Sequence, residues 1–347
     1  MDPRDDLSDL DRPDVRISDP GEIAAALPAL LGFRPRESVV LISLIGSRTG
    51  RVGLTVRGDL PAVGEESAAA ALFVRNLRTD RPSGALLVVV SEAPDVPSSR
   101  ADGRAPDGGS AGLPHRGLVR EVVIELARDG VPVRAALLVR AGRWWSYDCP
   151  RTCCAPEAGT VLPEGVTALE AASVATGMAV ERDRSDLVRR IAAPSGPARA
   201  AMAATCDVVA VECLARVIEV GFAAMAEESW AAVTAAAGRC RPDFPRHALG
   251  DRDVARVVWG LRDRDVRDRA MQLATGPDAP AAEILWTECT RRAPGPLAAA
   301  PATLLAVSAW LRGDGAMANV ALARALEAEP SYALARLLSR ALAECLP

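Results

Sequence analysis

The sequence contains no lysine, and all 41 of its basic residues are arginine. This absence excludes enzymes that depend on a P-loop lysine, a kinase-type phosphate lysine or a Schiff-base lysine. Histidine is almost as scarce, since only His115 and His247 occur. Any Ser-His or Cys-His mechanism would have to use one of them. Neither has a nucleophile at a recognisable spacing, and we predict that both lie at the surface.

Several other features are missing. A net charge of −4 gives no general affinity for nucleic acid or for an anionic membrane surface. The sequence has no apolar run of the roughly 18 residues that a membrane span requires. Residues 1–14 are acidic and lack the apolar stretch of a signal peptide. We therefore expect a cytoplasmic protein without nucleic-acid or membrane partners.

A chain of 347 residues is long enough for two or three domains with sizeable cores. We predict a mixed α/β domain over residues 17–165, with flanking helices, followed by an all-α region. Residues 1–16 alternate Asp, Arg and Pro and are expected to form a disordered tail. Residues 92–114 are rich in Pro, Gly, Ser and Asp, which predicts a mobile loop.

The α/β prediction rests on apolar periodicity. Short β-branched runs predict strands at 38–45, 51–57, 85–90 and 131–140, and the first two are expected to form an antiparallel hairpin. Helical spacing predicts helices near 20–31, 65–79 and 118–128, the second with Leu72, Phe73 and Leu77 on its apolar side. Strands and helices in this order are typical of a mixed sheet.

From residue 167 onward the pattern is helical. We predict helices near 167–179, 184–192, 198–237, 251–275 and 279–292, the third dividing near Gly221 or further along. Residues 166–295 would form a helical domain, and residues 296–347 a tetratricopeptide-like hairpin packed on it. Small residues Ala306, Ala318 and Ala325 and the closing Pro330 favour that hairpin. An ordinary helical hairpin is the alternative.

The segment from Arg143 to Cys154 concentrates two tryptophans, a tyrosine and three of the eight cysteines. Cys149 and Cys153 have the spacing of a zinc-binding pair, and Cys154 adds a third thiol. A fourth ligand is missing nearby, and Asp148, Glu157, His115, a distant cysteine or water are candidates for it. A redox pair and a tight turn packed under the aromatic rings are the other interpretations. The remaining five cysteines are expected to be small buried hydrophobes.

The aromatic part of this segment also has two interpretations. Arg143, Trp145 and Tyr147 are candidates for binding a ligand by stacking and cation–π contact. A packing role, with one ring buried against a sheet edge, is the alternative that we favour.

Several short motifs together resemble the actinobacterial domain-of-unknown-function family 4192. They are Ile17-Ser18-Asp19-Pro20, Leu31-Gly32-Phe33-x-Pro35-x-x-Ser38, Trp145-Ser146-Tyr147-x-Cys149 with Cys153-Cys154, and Gly313-Asp314-Gly315-Ala316 through Pro330-x-Tyr332. The resemblance spans nearly the whole chain, from about Arg16 to Cys345. Ala155 stands where the family is expected to have a proline directly after the paired cysteines. The resemblance implies an actinobacterial source and no particular activity.

The leading functional prediction is a binding or scaffold module whose Trp/Tyr/Cys cluster lies at the domain junction. A protein partner would bind through the C-terminal helices. Two alternatives remain open. The first is an enzyme with a cleft between the domains, since domain junctions are common pocket sites. The second is a structural zinc or thiol-redox site at Cys149, Cys153 and Cys154. Zinc is the cofactor that this spacing suggests.

Overall fold

The computed structural model describes residues 20–46, 51–96, 112–155, 157–163, 165, 180–241 and 249–343. The chain divides into two units, with the boundary between Asp183 and Arg184. The predicted tail, the predicted helix at 167–179, most of the predicted loop at 92–114, His247 and Cys345 lie outside the described residues.

The first unit is a mixed six-stranded sheet in the order β2-β1-β3-β4-β5-β6. The β3–β4 pair is parallel, and the other neighbouring strands are antiparallel. The strands are β1 (Ser38–Ile45), β2 (Arg51–Asp59), β3 (Gly84–Val90), β4 (Val133–Arg140), β5 (Arg143–Ser146) and β6 (Thr160–Val161). This arrangement confirms the mixed-sheet prediction and the antiparallel hairpin of the first two strands.

Three helices accompany the sheet: α1 (Pro20–Leu31), α2 (Glu66–Leu77) and α3 (Arg116–Arg128). Side chains of β1, β3, β4 and β5 that point to one face pack with α2 and α3 in one apolar core. The run Ala85–Val89 is buried throughout, as expected of a central strand covered on both faces. The prediction for Leu72 was wrong: it is 46% exposed, because the buried face of α2 runs through Ala70, Phe73, Val74 and Leu77 instead.

The second unit is mostly helical. Its helices are α4 (Arg184–Arg190), α5 (Pro197–Arg239), α6 (Asp251–Gly260), α7 (Arg264–Met271), α8 (Ala279–Arg292), α9 (Ala299–Leu311), α10 (Gly315–Ala328) and α11 (Ala333–Ala343). The predicted helix 251–275 is two helices, because Asp263 caps the second one by accepting from the backbone N–H groups of Asp265 and Val266. The tetratricopeptide-like character of the last hairpin stays a prediction.

Helix α5 bends sharply at Gly221, where φ is 84° and ψ is 167°. Arg216 Nη2 lies 2.8 Å from Glu228 Oε1 across this point. Twelve residues of straight helix would separate their Cα atoms by about 18 Å, so the two halves fold toward each other. Glycine tolerates this positive φ without a Cβ penalty. The predicted division near Gly221 is therefore confirmed.

Candidate functional site

A tight hairpin between β4 and β5 places the Trp-Tyr-Cys segment on the sheet. Arg140 pairs with Arg143, which leaves Ala141 and Gly142 as a two-residue turn with φ values of 48° and 72°. Positive φ at both central residues is the type I′ geometry, whose twist matches that of the strands. Strand β5 then runs beside β4, with Trp145 opposite Leu138.

The ring of Trp145 is only 3% exposed and belongs to the core between the sheet and its helices. Its Nε1 donates to the carbonyl of Ala155 at 3.0 Å. A Cβ at Gly159 would lie 2.4 Å from the ring, so only glycine allows the backbone to approach this closely. Trp145 therefore holds both Ala155 and Gly159 of the returning loop against the sheet.

Tyr147 is buried as well, and its hydroxyl donates to the carbonyl of Pro114 at 2.8 Å. Burial raises the pKa of this phenol well above its usual value. The guanidinium of Arg116 lies 5.8 Å from the ring centroid. Tyr147 thus ties the end of β5 to the residues that precede α3.

Arg143 is exposed, but its Nη1 donates to the carbonyls of Ala158 and Gly159 at 3.0 and 3.1 Å. Arg143 therefore holds the loop between β5 and β6 by contacts at its solvent-exposed side. The contacts of Trp145, Tyr147 and Arg143 favour the packing interpretation of this segment. Ligand binding by the three residues stays a prediction.

The structure brings together the three cysteines that follow. Their Sγ atoms all lie within 4.8 Å of one another, and those of Cys153 and Cys154 are 4.0 Å apart. A tetrahedral zinc ion with Zn–S bonds of about 2.3 Å would hold its sulfurs about 3.8 Å apart. A shift of about 1 Å at most would bring the sulfurs to that spacing. Cys149 is half-buried, Cys153 is exposed and Cys154 is buried.

Backbone N–H groups point at two of these sulfurs. A hydrogen bond from the backbone of Arg151 lowers the pKa of the Cys149 thiol. The N–H of Ser146 lies 3.3 Å from the Sγ of Cys154. Burial has the larger effect on Cys154 and raises its pKa to about 11. A hydrogen bond to a thiolate stabilises the charged form that metals bind.

Other predicted candidates for a fourth ligand are not part of this cluster. Within the described part of the chain, the group of neighbouring potential ligands comprises the three cysteines alone. His115, one of the candidates, bonds to Ser91 instead, with 3.0 Å between Nε2 and Oγ. Asp148 and Glu157 are exposed and stand outside the group.

His115, which is predicted to lie at the surface, is half-buried. His115 is part of a hydrogen-bonded chain with Ser91, which is 1% exposed, and with Glu37. The hydroxyl of Ser91 lies 2.7 Å from Glu37 Oε2, while Glu37 Oε1 accepts from the N–H of Glu92 at 2.7 Å. Burial lowers the pKa of His115, and the charge of Glu37 opposes that effect.

This hydrogen-bonded chain lies where β1 begins and β3 ends, next to the start of α3. Glu37 and His115 adopt positive φ values of 39° and 60°, which cost energy in residues with a Cβ. Ala141, also at positive φ, donates its N–H to Glu92 Oε1 in the same region. Such backbone strain persists only where the surrounding contacts enforce it.

Sequence reasoning missed the Glu37–Ser91–His115 chain. The three residues are far apart in the sequence and have no motif spacing. Glu37 and Ser91 meet because β1 and β3 are neighbours in the sheet, and His115 joins them from the start of α3. The nearest signal is His115 beside Pro114, at the start of a helical pattern, which does not reveal a partner 24 residues away.

A family model described as "Domain of unknown function (DUF4192)" matches residues 20–347. The chain belongs to this family. No match was found among curated proteins or among solved structures. The description of the DUF4192 family names no reaction. No helix in the described ranges combines the length and the apolar character of a membrane span.

Proposed function

We propose that the protein binds a thiophilic divalent ion, zinc in the first instance, through the thiolates of Cys149, Cys153 and Cys154. The observation that carries the proposal is the convergence of the three Sγ atoms within 4.8 Å. Three thiolates form a soft ligand set, which favours zinc over the oxygen-preferring magnesium or calcium. The proposal makes this chain a metal-binding module with its site in the connection between β5 and β6.

The surroundings of the cluster support this role. The loop between β5 and β6 is held at Ala155, Ala158 and Gly159 by Trp145 and Arg143. Such contacts restrict the loop before any ion arrives, so less conformational entropy is lost on binding. The N–H groups directed at Cys149 and Cys154 orient the sulfurs and tune them, as outer contacts do in metal sites.

Three protein ligands leave the fourth tetrahedral position to water or to an external group. Structural zinc sites fill all four positions with protein ligands, while sites that react or exchange keep one position open. Exposure of Cys153 allows an outside group to approach. We therefore propose an accessible site rather than a closed structural one.

Elemental analysis of purified protein tests the proposal. The wild-type chain should carry close to one zinc per chain, and Cys153→Ala should lose most of it, since two thiolates bind zinc far more weakly than three. Cys153 is exposed, so this substitution should leave the fold intact. Circular dichroism and urea unfolding of both proteins check that point.

Cys213→Ala is the matched control, because it removes one thiol from a helix of the second unit. It should retain the metal content of the wild type. Folded wild-type protein that takes up no zinc after dialysis against micromolar zinc would overturn the proposal. Equal loss of zinc in Cys153→Ala and Cys213→Ala would also overturn the proposal, since zinc binding would then depend on the number of thiols and not on this cluster.

A thiol-redox switch is the second candidate function, favoured by the lowered pKa of Cys149 and the proximity of its sulfur to two others. Hydrogen peroxide would oxidise Cys149 to the sulfenic acid with release of water, and the thiol of Cys153 or Cys154 would then displace a second water to form a disulfide. Mild peroxide treatment followed by peptide mapping should find a bridge from Cys149. Sulfinic acid without any bridge contradicts this candidate.

The scaffold role through the C-terminal helices and the enzyme with a cleft between the domains remain predictions. A pull-down with and without residues 296–347 tests the first, and identical partners in both arms would contradict it.

A further inference from the structure

The hydroxyl of Ser91 makes three hydrogen bonds, which use its whole bonding capacity. It donates to Glu37 Oε2 at 2.7 Å, and it accepts from the backbone N–H of Ala93 at 3.1 Å. The third partner is Nε2 of His115, at 3.0 Å. A hydroxyl has one proton to donate and two lone pairs with which to accept. Because a carboxylate can only accept, Glu37 takes the proton of Ser91, and one lone pair remains for His115.

These three bonds determine the tautomer of His115. Nε2 carries the proton of the neutral ring, since Ser91 has no second hydrogen to donate to it. The lone pair of the ring therefore lies on Nδ1. The side chain makes no capping bond to the N–H groups of α3. In the described part of the chain, Ser91 is its one hydrogen-bond partner, so Nδ1 is left to accept a proton from outside.

This nitrogen lies at the edge of the sheet where α/β proteins usually hold their ligands. Ser91 directly follows β3, and His115 directly precedes α3, the helix that connects β3 to the parallel strand β4. In open α/β sheets, ligands bind outside the carboxyl ends of the parallel strands. Ser91 is buried while His115 is half-buried, so the ring stands between the protein interior and the solvent.

The backbone around the ring is held in place by other bonds. Arg140, the last residue of β4, donates to the carbonyl of Ala93 at 3.0 Å. Val96 and Gly112 pair through their backbones at 2.8 and 2.7 Å, which joins the two ends of the connection between β3 and α3. Groups that are fixed before a ligand binds are the best suited to proton transfer, because little entropy is lost on binding.

We propose that His115 is the general base of a ligand site, where its Nδ1 takes the proton of a hydroxyl group, from water or an alcohol, beside the carboxyl ends of β3 and β4. The O–H bond of the ligand breaks and its electron pair stays on the oxygen, while the new N–H bond turns the ring into an imidazolium. Nε2 keeps its proton and its bond to Ser91. The negative charge of Glu37 stabilises the positive ring, so Ser91 and Glu37 are positioning residues.

Three further observations support this role. Burial lowers the pKa of His115 below 6.5, so the ring is neutral and can accept a proton at pH 7. The sequence has no lysine, and His115 is the only histidine in the described ranges. Glu37 and His115 both have positive φ values, and backbone strain of this kind is concentrated at functional sites.

NMR of the full chain with ¹⁵N-labelled histidine tests the tautomer, and His115→Gln shows which signals belong to this ring. At about pH 7.5, wild-type His115 should have a protonated Nε2 and an unprotonated Nδ1. Ser91→Ala removes the acceptor, so both tautomers should appear. Ser83→Ala, directly before β3 at its opposite end, is the matched control and should keep the wild-type tautomer. A wild-type ring with its proton on Nδ1 overturns the proposal, and this result does not depend on whether Ser91→Ala folds.

Diethyl pyrocarbonate, which acylates the unprotonated nitrogen of imidazole, tests whether an outside molecule reaches Nδ1. Folded wild-type protein at about pH 7.5 should be modified at Nδ1 of His115. In Glu37→Gln the reaction should be about threefold slower, because the ring loses the charge that raises its basicity. Glu65→Gln, at an exposed carboxylate before α2, is the control and should react as the wild type does. Modification of His115 only after unfolding in urea overturns the proposal, as do equal rates in Glu37→Gln and the wild type.

Discussion

The cysteines of the two units occupy opposite environments. In the first unit, three of them meet at one point with graded exposure, and backbone N–H groups reach two of the sulfurs. In the second unit, Cys206, Cys213, Cys240 and Cys289 are buried, and burial raises the pKa of each. The same side chain is a ligand candidate in one unit and a packing residue in the other, because solvent access and neighbouring dipoles differ.

The largest expected difference between the two groups is in reactivity. At neutral pH, iodoacetamide should modify Cys149 and Cys153 at least 100-fold faster than the four buried cysteines, since the thiolate is the nucleophile and must be reachable. Mass spectrometry of peptides over time measures the rates. Zinc should protect the first group only. Comparable rates of modification for Cys149 and Cys206 would contradict this difference in reactivity between the two groups.

Gly159→Ala should disturb the first group without touching the second. Its Cβ would collide with the Trp145 ring, and its φ of 64° disfavours side chains, so the free energy of unfolding should fall by about 3 kcal/mol. Zinc content should fall with it, because the loop no longer returns to the sheet in the same path. Gly142→Ala, where a Cβ would meet no atom within 4 Å, is the control for the effect of positive φ alone. Equal losses in the two variants would show that the contact with Trp145 contributes nothing.

Serine substitutions compare the two groups of cysteines by their effect on the free energy of unfolding. Cys289 is fully buried, so Cys289→Ser places a hydroxyl in an apolar site and should cost about 2 kcal/mol. Cys153→Ser, measured without metal, should change stability by less than about 0.5 kcal/mol, because the side chain is exposed. Urea unfolding of the two variants gives both values, and a reversed order would contradict the assignment.

The smallest expected effect concerns His115. Burial lowers the pKa of His115 below 6.5 in the folded chain, so the unfolded chain takes up its proton first as pH falls. The stabilisation that comes from the neutral ring is therefore present above about pH 6.5 and is lost on acidification. Between pH 7 and pH 5, wild-type stability should fall more than that of His115→Gln. Parallel urea series at each pH test this, and identical slopes would refute it.

Sequence patterns located most of the elements correctly for local reasons. The boundaries of β1 and of the helix Ala279–Arg292 agree with the predictions, because β-branched runs, Gly32 and the flanking prolines act on their own neighbourhood. The division of residues 251–275 was missed, since the Asp263 cap resembles one more member of an Asp/Arg alternation. Leu72 was misplaced because both sides of α2 carry apolar residues and only packing selects one.

Part of the candidate site was likewise predictable from local sequence, and part of it was not. Spacing alone made Cys149, Cys153 and Cys154 a ligand group, because six residues cannot separate their side chains widely. Whether the sulfurs converge, and which of them is buried, depends on how Trp145 and Gly159 return the loop to the sheet. No sequence pattern predicted the hydrogen-bonded chain from Glu37 through Ser91 to His115. Strand pairing brings Glu37 to Ser91, and the position of α3 brings His115 to Ser91.

The sequence by itself determined the local content of this protein: the arginine-only basic residues, the strand and helix segments, the clustered thiols and the sharp bend at Gly221. These depend on composition and on neighbours along the chain. Only the tertiary structure decided which faces are buried, how the strands are ordered and which groups bond to Ser91. Those outcomes depend on contacts between segments distant in sequence, whose energies no local pattern encodes.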